Sequence, residues 1–160
     1  MSPLRVGQGF DIHPFSDEPD RPLVLGGVTI EGAPGLGGHS DADVIAHAVA
    51  DSLLGAAGLG DLGSLFPASD PTWRSADSLR LLGVVVERVG EGGWSVANVD
   101  CSVVAETPRL APHIAAMEER LTGVVGAPVT VKPKRAEALG ALGRSEGIAC
   151  FAVALIEQVG

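Results

Sequence analysis

The sequence predicts a single α+β domain: a two-layer sandwich in which one mixed β-sheet of four to five strands carries helices on one face. Three observations lead there. A chain of 160 residues suits one domain spanning residues 1–160. Hydrophobic residues reach 46% while aromatic ones stop at 4%, with no Tyr, so the core must be built from Ala, Val, Leu and Ile. Runs with strand and helix periods mix along the chain without strict β-α alternation.

Arg5 to Phe15 reads as a strand leading into a turn, and Leu23 to Ile30 as a second strand interrupted by Gly26-Gly27. Glu31 to Gly38 is rich in Gly and Pro and reads as a mobile loop. Ser40-Asp41-Ala42-Asp43 fits a helix start in which the Ser40 hydroxyl caps a free N–H. Val44, Ile45, Ala48, Val49, Leu53 and Leu54 carry that helix to about Gly58. A second helix runs from Ser75 or Asp77 to Val89, and a long strand from Ser95 to Ala105. Pro112 suits the first position of a third helix, ending near Leu121. Val129 to Lys132 and Ile148 to Ile156 are the last strands.

Eleven basic and twenty acidic residues leave a net charge of −9. An acidic chain with few aromatics is a poor fit to nucleic acid or to an anionic membrane surface. The same charge argues against an anionic substrate, unless a local site overrides it. No apolar run approaches a membrane span, and Met1 to Arg5 has no apolar stretch of a secretory signal. Cys101 and Cys150 lie in apolar strands without metal-type spacing, as buried thiols of a protein in a reducing cytoplasm would.

Three of the four His fall in the first third. Asp11 and His13 are two apart on a strand and face the same way. Asp43, His47 and Asp51 are spaced four apart on the first helix, an acidic row with no basic partner. Asp11, His13 and His47 would supply one carboxylate and two imidazoles, leaving a fourth position open, the pattern of a catalytic Zn²⁺ site. Asp43 or Asp51 could then orient an imidazole. The alternative is a set of unrelated polar residues on a solvated helix and turn. Gly7-Gln8-Gly9 is followed by Ile12 rather than Gly, so the dinucleotide fingerprint fails, and no phosphate-binding P-loop exists. Lys132-Pro133-Lys134-Arg135 gathers three cations, with Arg109 and Arg144 near other Gly/Pro turns. They form either an anion clamp or a guarded edge strand.

Several motifs together resemble the methylerythritol cyclodiphosphate synthases. They are Gly9-Phe10-Asp11-Ile12-His13; Gly38 to Val44 with His47-Ala48 and Asp51; Leu53 to Ala57; Gly60-Asp61-Leu62-Gly63 with Phe66-Pro67; Ala76-Asp77-Ser78; and Gly143 to Ala149. They follow in the family's order from about Arg5 to Ile156. The resemblance implies that the 2-phosphate of 4-diphosphocytidyl-2-C-methyl-D-erythritol 2-phosphate attacks the β-phosphorus, that CMP leaves and that a cyclic diphosphate forms, a phosphorus–oxygen lyase step of non-mevalonate isoprenoid biosynthesis. It implies one Zn²⁺ per subunit on Asp11, His13 and His47, and a Mg²⁺ or Mn²⁺ on the diphosphate with Glu137 as its carboxylate ligand. His39 then matches a transition-state stabiliser, with Ser40 beside the phosphates and erythritol. Asp61 and Gly63 match residues on the erythritol hydroxyls, with Phe66 and Asp70 in the same loop. Ala105, Pro108, Arg109, Leu110 and Ala111 belong to a loop around the cytosine. The family is a homotrimer with active sites between subunits. Ala141, Arg144 and Glu146 match a central cavity that can hold an isoprenoid diphosphate, Arg144 also being a candidate substrate contact.

Four positions depart from the family pattern. Lys134-Arg135-Ala136 replaces a Thr run, so Lys134 or Arg135 is expected on the diphosphate, Arg135 in the place of a catalytic Thr. Ala68 replaces an Asp, Arg109 a Lys and Ala141 a Phe. Two other activities compete with the cyclising synthase: a zinc phosphohydrolase using a metal-bound water, and a non-catalytic trimer stabilised by metal.

Overall fold

A computed structural model describes residues 3–160. The main sheet has four strands: β1 (Leu4–Pro14), β4 (Trp94–Val104), β5 (Val129–Lys134) and β6 (Gly147–Gln158). Their order is β1-β6-β4-β5. β6 runs antiparallel to β1 and β4, while β4 and β5 are parallel. The sheet is mixed, and helices cover one face, as the sequence predicts.

Alternation sorts the sheet's two faces. Ile148, Cys150, Ala152, Ala154 and Ile156 of β6, Val99, Cys101 and Val103 of β4, and Val129 and Val131 of β5 are buried under the helices. Both cysteines are free and buried there. On the other face Val6, Phe10, Ile12, Phe151 and Val153 are 44–68% exposed. Phe10 and Phe151 pack with ring centres 4.8 Å apart and planes tilted by 43°.

Helix α1 (Val44–Ala57) is apolar apart from His47, Asp51 and Ser52 and packs against both the sheet and helix α3 (Ser78–Glu91), which accounts for ten buried residues among its fourteen. It approaches β1 closely because Gly7 and Gly9 face it. A Cβ on Gly9 would lie 1.9 Å from the Ala48 carbonyl oxygen, and one on Gly7 1.9 Å from that of Ser52. The glycines that fail a nucleotide fingerprint are thus a close-packing device. Helix α4 (Ile114–Val125) follows a short 3₁₀ turn at Ala111–His113, starting later and running further than predicted, and buries Met117, Leu121 and Val125. Two four-residue helices, α2 (Leu62–Leu65) and α5 (Gly140–Gly143), and a 3₁₀ turn at Pro71–Trp73 have no signal in the sequence reading.

Three expectations need correction. The interrupted strand is a hairpin outside the main sheet, β2 (Leu23–Leu25) paired with β3 (Val28–Ile30). Gly26 and Gly27 both take positive φ, 57° and 73°, which makes them its turn. The first helix starts at Val44 rather than Ser40, since Ala42 is left-handed at φ 56° and Asp43 supplies the cap. The Gly/Pro segment before it is tied down: Leu36 is 1% exposed and pairs with Phe15, and Gly37 donates to Pro14 O at 2.8 Å. Arg21 binds the carbonyls of Leu36, Gly38 and Ser40 at 2.5, 3.0 and 2.6 Å. No helix among the described residues is long and apolar enough to cross a membrane.

Candidate functional site

β1 carries Gly7, Gly9, Asp11 and His13 on its helix-facing side, so the close approach set by the glycines also delivers His47 of α1 to Asp11 and His13. Asp11 Oδ2 lies 2.9 Å from His13 Nε2 and 3.0 Å from His47 Nδ1, and the two ring nitrogens are 3.4 Å apart. The three donor atoms fall within 4.8 Å of one another.

The outer nitrogens of the rings have defined partners. His13 Nδ1 meets the Gly37 carbonyl at 2.8 Å, so it carries the proton and Nε2 keeps a lone pair. His47 Nε2 lies 2.8 Å from Ser78 Oγ and 3.2 Å from Ser40 Oγ. With both outer nitrogens protonated, two lone pairs and a carboxylate point at one spot, an arrangement that suits a divalent cation. With no cation between them and the rings protonated, the inward nitrogens donate to Asp11 instead: burial would raise its carboxyl, but hydrogen bonds and charge from His13 and His47 outweigh it and hold the group well below the usual range. For His13, burial works against protonation, yet the bond and charge of Asp11 raise it overall.

The triad floors a cleft of about 280 Å³ that also takes in His39, Ser40, Asp51, Gly63, Phe66 and Ala68. Phe66 and Trp73 pack edge to face at 4.8 Å in its wall. Asp51 lines the cleft, but its carboxylate accepts from Leu62 N at 2.7 Å and not from an imidazole, and burial raises its pKa. Asp43 does not reach the cleft. It is fully buried and accepts from Ile45 and Ala46 N at the helix start and from Gly26 and Gly27 N in the hairpin turn, at 2.7 to 3.1 Å. Burial pushes its carboxyl up to about 6 against those donors. The expectation that Asp43 orients an imidazole is wrong, because the i, i+4 row presumed a helix that had not yet begun. Asp61 and Asp70 cap α2 and the 3₁₀ turn, accepting from Ser64 N and Thr72 N.

A second cleft, of about 520 Å³, is lined by Ala105, Pro108, Arg109, Leu110, Ala111, Lys134 and Arg135, together with Glu106, Thr107 and Pro133. Arg135 pairs with the Glu106 carboxylate, and its own side chain stays 70% exposed. Glu137, Ala141, Arg144 and Glu146 line neither cleft. Glu137 is exposed at φ 53°, and Arg144 pairs with Glu146 at 2.6 Å. The residues gathered here thus divide into two separate clefts of one chain.

Sequence reasoning missed Ser78 as a partner of His47, the Gly37 carbonyl as a partner of His13, and Arg21 as the brace of the loop carrying His39. Their separations of 31, 24 and 15 to 19 residues follow no local period.

Residues 4–157 match a family model described as the YgbB family. A 2-C-methyl-D-erythritol 2,4-cyclodiphosphate synthase of Enterococcus faecalis is 47% identical over 158 residues, 97% of this chain and 99% of that one. One of a Synechocystis strain is 50% identical with both chains covered in full. Among solved structures, an IspF of Plasmodium falciparum in complex with CDP superposes with a TM-score of 0.85 at 31% identity, covering 100% of this chain and 99% of that one. A bifunctional IspDF of Campylobacter jejuni reaches a TM-score of 0.93 at 37% identity, with 99% of this chain matching 43% of that longer protein.

Proposed function

The chain belongs to the YgbB family, and on that premise we propose that it converts 4-diphosphocytidyl-2-C-methyl-D-erythritol 2-phosphate to 2-C-methyl-D-erythritol 2,4-cyclodiphosphate and CMP. The observation that carries this reading is the convergence of Asp11 Oδ2, His13 Nε2 and His47 Nδ1 on one point at the floor of a cleft. The phosphohydrolase alternative gains nothing from relatives that are 47–53% identical over nearly the whole chain and bear the synthase name.

In the reaction an oxygen of the 2-phosphate forms a bond to the β-phosphorus. The bond from that phosphorus to the α–β bridging oxygen breaks, and its electron pair leaves with CMP. Attack is intramolecular, so the protein's task is to fold the substrate and offset charge between phosphates. Asp11, His13 and His47 fit Zn²⁺, which supplies Lewis-acid polarisation of a phosphoryl oxygen when bound. His39 and Ser40, on the braced loop beside the triad, orient the phosphates. Gly63 and Phe66 shape the erythritol end of the same cleft, with Asp61 and Asp70 holding the loop that carries them. Arg109, Lys134 and Arg135 in the second cleft take the nucleotide and its diphosphate, and Glu137, two residues beyond Arg135, would hold a Mg²⁺ or Mn²⁺ that offsets the diphosphate charge.

The two clefts fit a homotrimer in which one subunit contributes the metal cleft and its neighbour the nucleotide loop. The uncovered sheet face with Val6, Phe10, Ile12, Phe151 and Val153 supports such an assembly, since a lone soluble chain rarely leaves a patch of this kind in water. Ala141, Arg144 and Glu146 would then face the central cavity, where an isoprenoid diphosphate can sit.

Phosphorus NMR of the purified protein with substrate, Zn²⁺ and Mg²⁺ tests the reading. CMP and a cyclic diphosphate are expected in equal amounts. Release of inorganic phosphate instead would establish hydrolysis, and absence of any product would remove the claim.

A further inference from the structure

We propose that Ser78 and Asp41 form a positioning relay for His47, and that this relay governs how tightly the chain holds its divalent ion. The inference rests on the reading that Asp11, His13 and His47 bind that ion.

The direction of each proton follows from the partners. Asp41 accepts from Ser78 N at 3.0 Å, from Asp43 N at 3.2 Å and from the Ser78 hydroxyl. A carboxylate only accepts, so the single hydroxyl proton of Ser78 goes to Asp41. Ser78 Oγ then has lone pairs left for His47 Nε2 at 2.8 Å, and Nε2 must be the protonated nitrogen. That fixes the tautomer with a bare Nδ1 directed at Asp11 Oδ2 and His13 Nε2. It also passes the pull of an anion to the ring through one hydroxyl, which makes Nδ1 a better donor to a cation.

The site is constructed for this arrangement. Ser78 is 1% exposed. It opens α3, yet its hydroxyl is not the helix cap, because Asp77 accepts from Leu79 N at 2.8 Å and fills that role. Ala42, fully buried and left-handed at φ 56°, separates two aspartates of opposite purpose: Asp41 turns to Ser78, and Asp43 to the hairpin. A non-glycine residue in that region is strained and is kept where the surroundings demand it. Ser40 Oγ, the other neighbour of Nε2, is farther at 3.2 Å, accepts from Ala42 N and lies 3.4 Å from Ser78 Oγ, so it flanks the relay and has no carboxylate of its own behind it.

The test uses the full chain with metal alone as probe: Zn²⁺ competed against a chromogenic chelator, and Co²⁺ read by its visible ligand-field spectrum. Ser78→Ala keeps the Asp41 bond to the backbone N–H and the Asp77 cap. It is expected to weaken Zn²⁺ binding by about 10-fold to 100-fold and to alter the Co²⁺ spectrum. Asp41→Asn should move both readouts in the same direction. Combining it with Ser78→Ala should add little, because the two groups act in series. Ser78→Thr and Ser78→Val share one shape and differ in the hydroxyl, so they keep the comparison valid even if Ser78→Ala folds poorly. The Thr chain must bind Zn²⁺ more tightly. Equal affinity within that pair, or wild-type affinity in Ser78→Ala, overturns the relay. If the wild-type chain takes up no Zn²⁺, or His47→Ala binds it as wild type does, the metal reading falls and the relay with it.

Discussion

Placing one methyl group between β1 and α1 tests whether glycine packing builds the cleft of Asp11, His13 and His47. In Gly9→Ala the new Cβ would sit 1.9 Å from Ala48 O, 2.8 Å from Ser52 N and 2.9 Å from Ala48 C. All three atoms are helix backbone, so no side chain can swing away. Restoring a contact near 3.4 Å requires α1 to retreat by roughly 1.5 Å. His47 is the residue before Ala48 and moves with it. The separations of 2.9 to 3.4 Å within the triad would widen by a comparable amount, whereas metal–ligand distances tolerate about 0.2 Å. Overpacking of this kind costs about 3 kcal/mol, the upper end of the usual range. Urea denaturation of the metal-free chain and Zn²⁺ competition are therefore expected to fall together, the latter by more than about 10-fold. Gly123→Ala is the control: it lies inside α4 with nothing within 4 Å of its Cβ, and should gain about 0.5 to 1 kcal/mol. Wild-type stability and Zn²⁺ affinity in Gly9→Ala would refute the reasoning.

Other expected outcomes follow from the same geometry. In metal-free protein, Asp11 contributes stability above its ordinary value of 3.8 that is lost as pH falls through its lowered one, and His13 contributes below 6.5 what is lost as pH rises through its raised one. The stability difference between wild type and Asp11→Asn should thus peak between those values, and a flat difference from pH 3 to 8 would disprove the pairing. Asp43→Ala strands four backbone N–H groups and should cost about 3 kcal/mol in urea melts. Arg135→Ala should lower turnover or raise KM about 10-fold, the value of one charged hydrogen bond, and unchanged kinetics would release Arg135 from any role with the diphosphate. Co-refolded His47→Ala and Arg109→Ala chains, each inactive alone, should recover about a quarter of full activity if sites are shared between subunits. No recovery would place the whole site within one chain.

Strict periods made the core of the site readable. Asp11 and His13 alternate on one face of β1, and the apolar spacing of α1 carries His47, so the Asp-His-His cluster that could hold a metal was legible. The architecture was legible too, because the inward strand positions repeat every second residue. Glycine was the least legible residue. Gly7 and Gly9 are demanded by a helix 39 to 45 residues away, and the positive φ of Gly26 and Gly27 distinguishes a hairpin turn from a broken strand. Asp43 misled because a cap residue and a helical residue obey different geometry while fitting the same spacing. Ser78 and Asp41 meet across 37 residues, and a contact of that kind has no local signature. Whether a carboxylate caps a helix, as Asp61 and Asp70 do, or faces solvent depends on turns too short to show a period.

Arg21 gives the acidic chain a local exception. All three of its hydrogen-bond acceptors are carbonyls, and among the described residues it makes no ion pair with a carboxylate. Carbonyl dipoles orient the guanidinium without cancelling it, so its unit of charge remains in force, and it is felt at His13, where it opposes protonation. Ionic screening at physiological salt reduces the reach of any surface charge to about 8 Å. Acids scattered elsewhere on the chain are thereby muted at this loop, while a cation that grips the loop's own carbonyls is not. The formal −9 is a property seen from afar, and at the loop itself one fixed positive charge stands against the Asp11 and Asp51 carboxylates of the cleft.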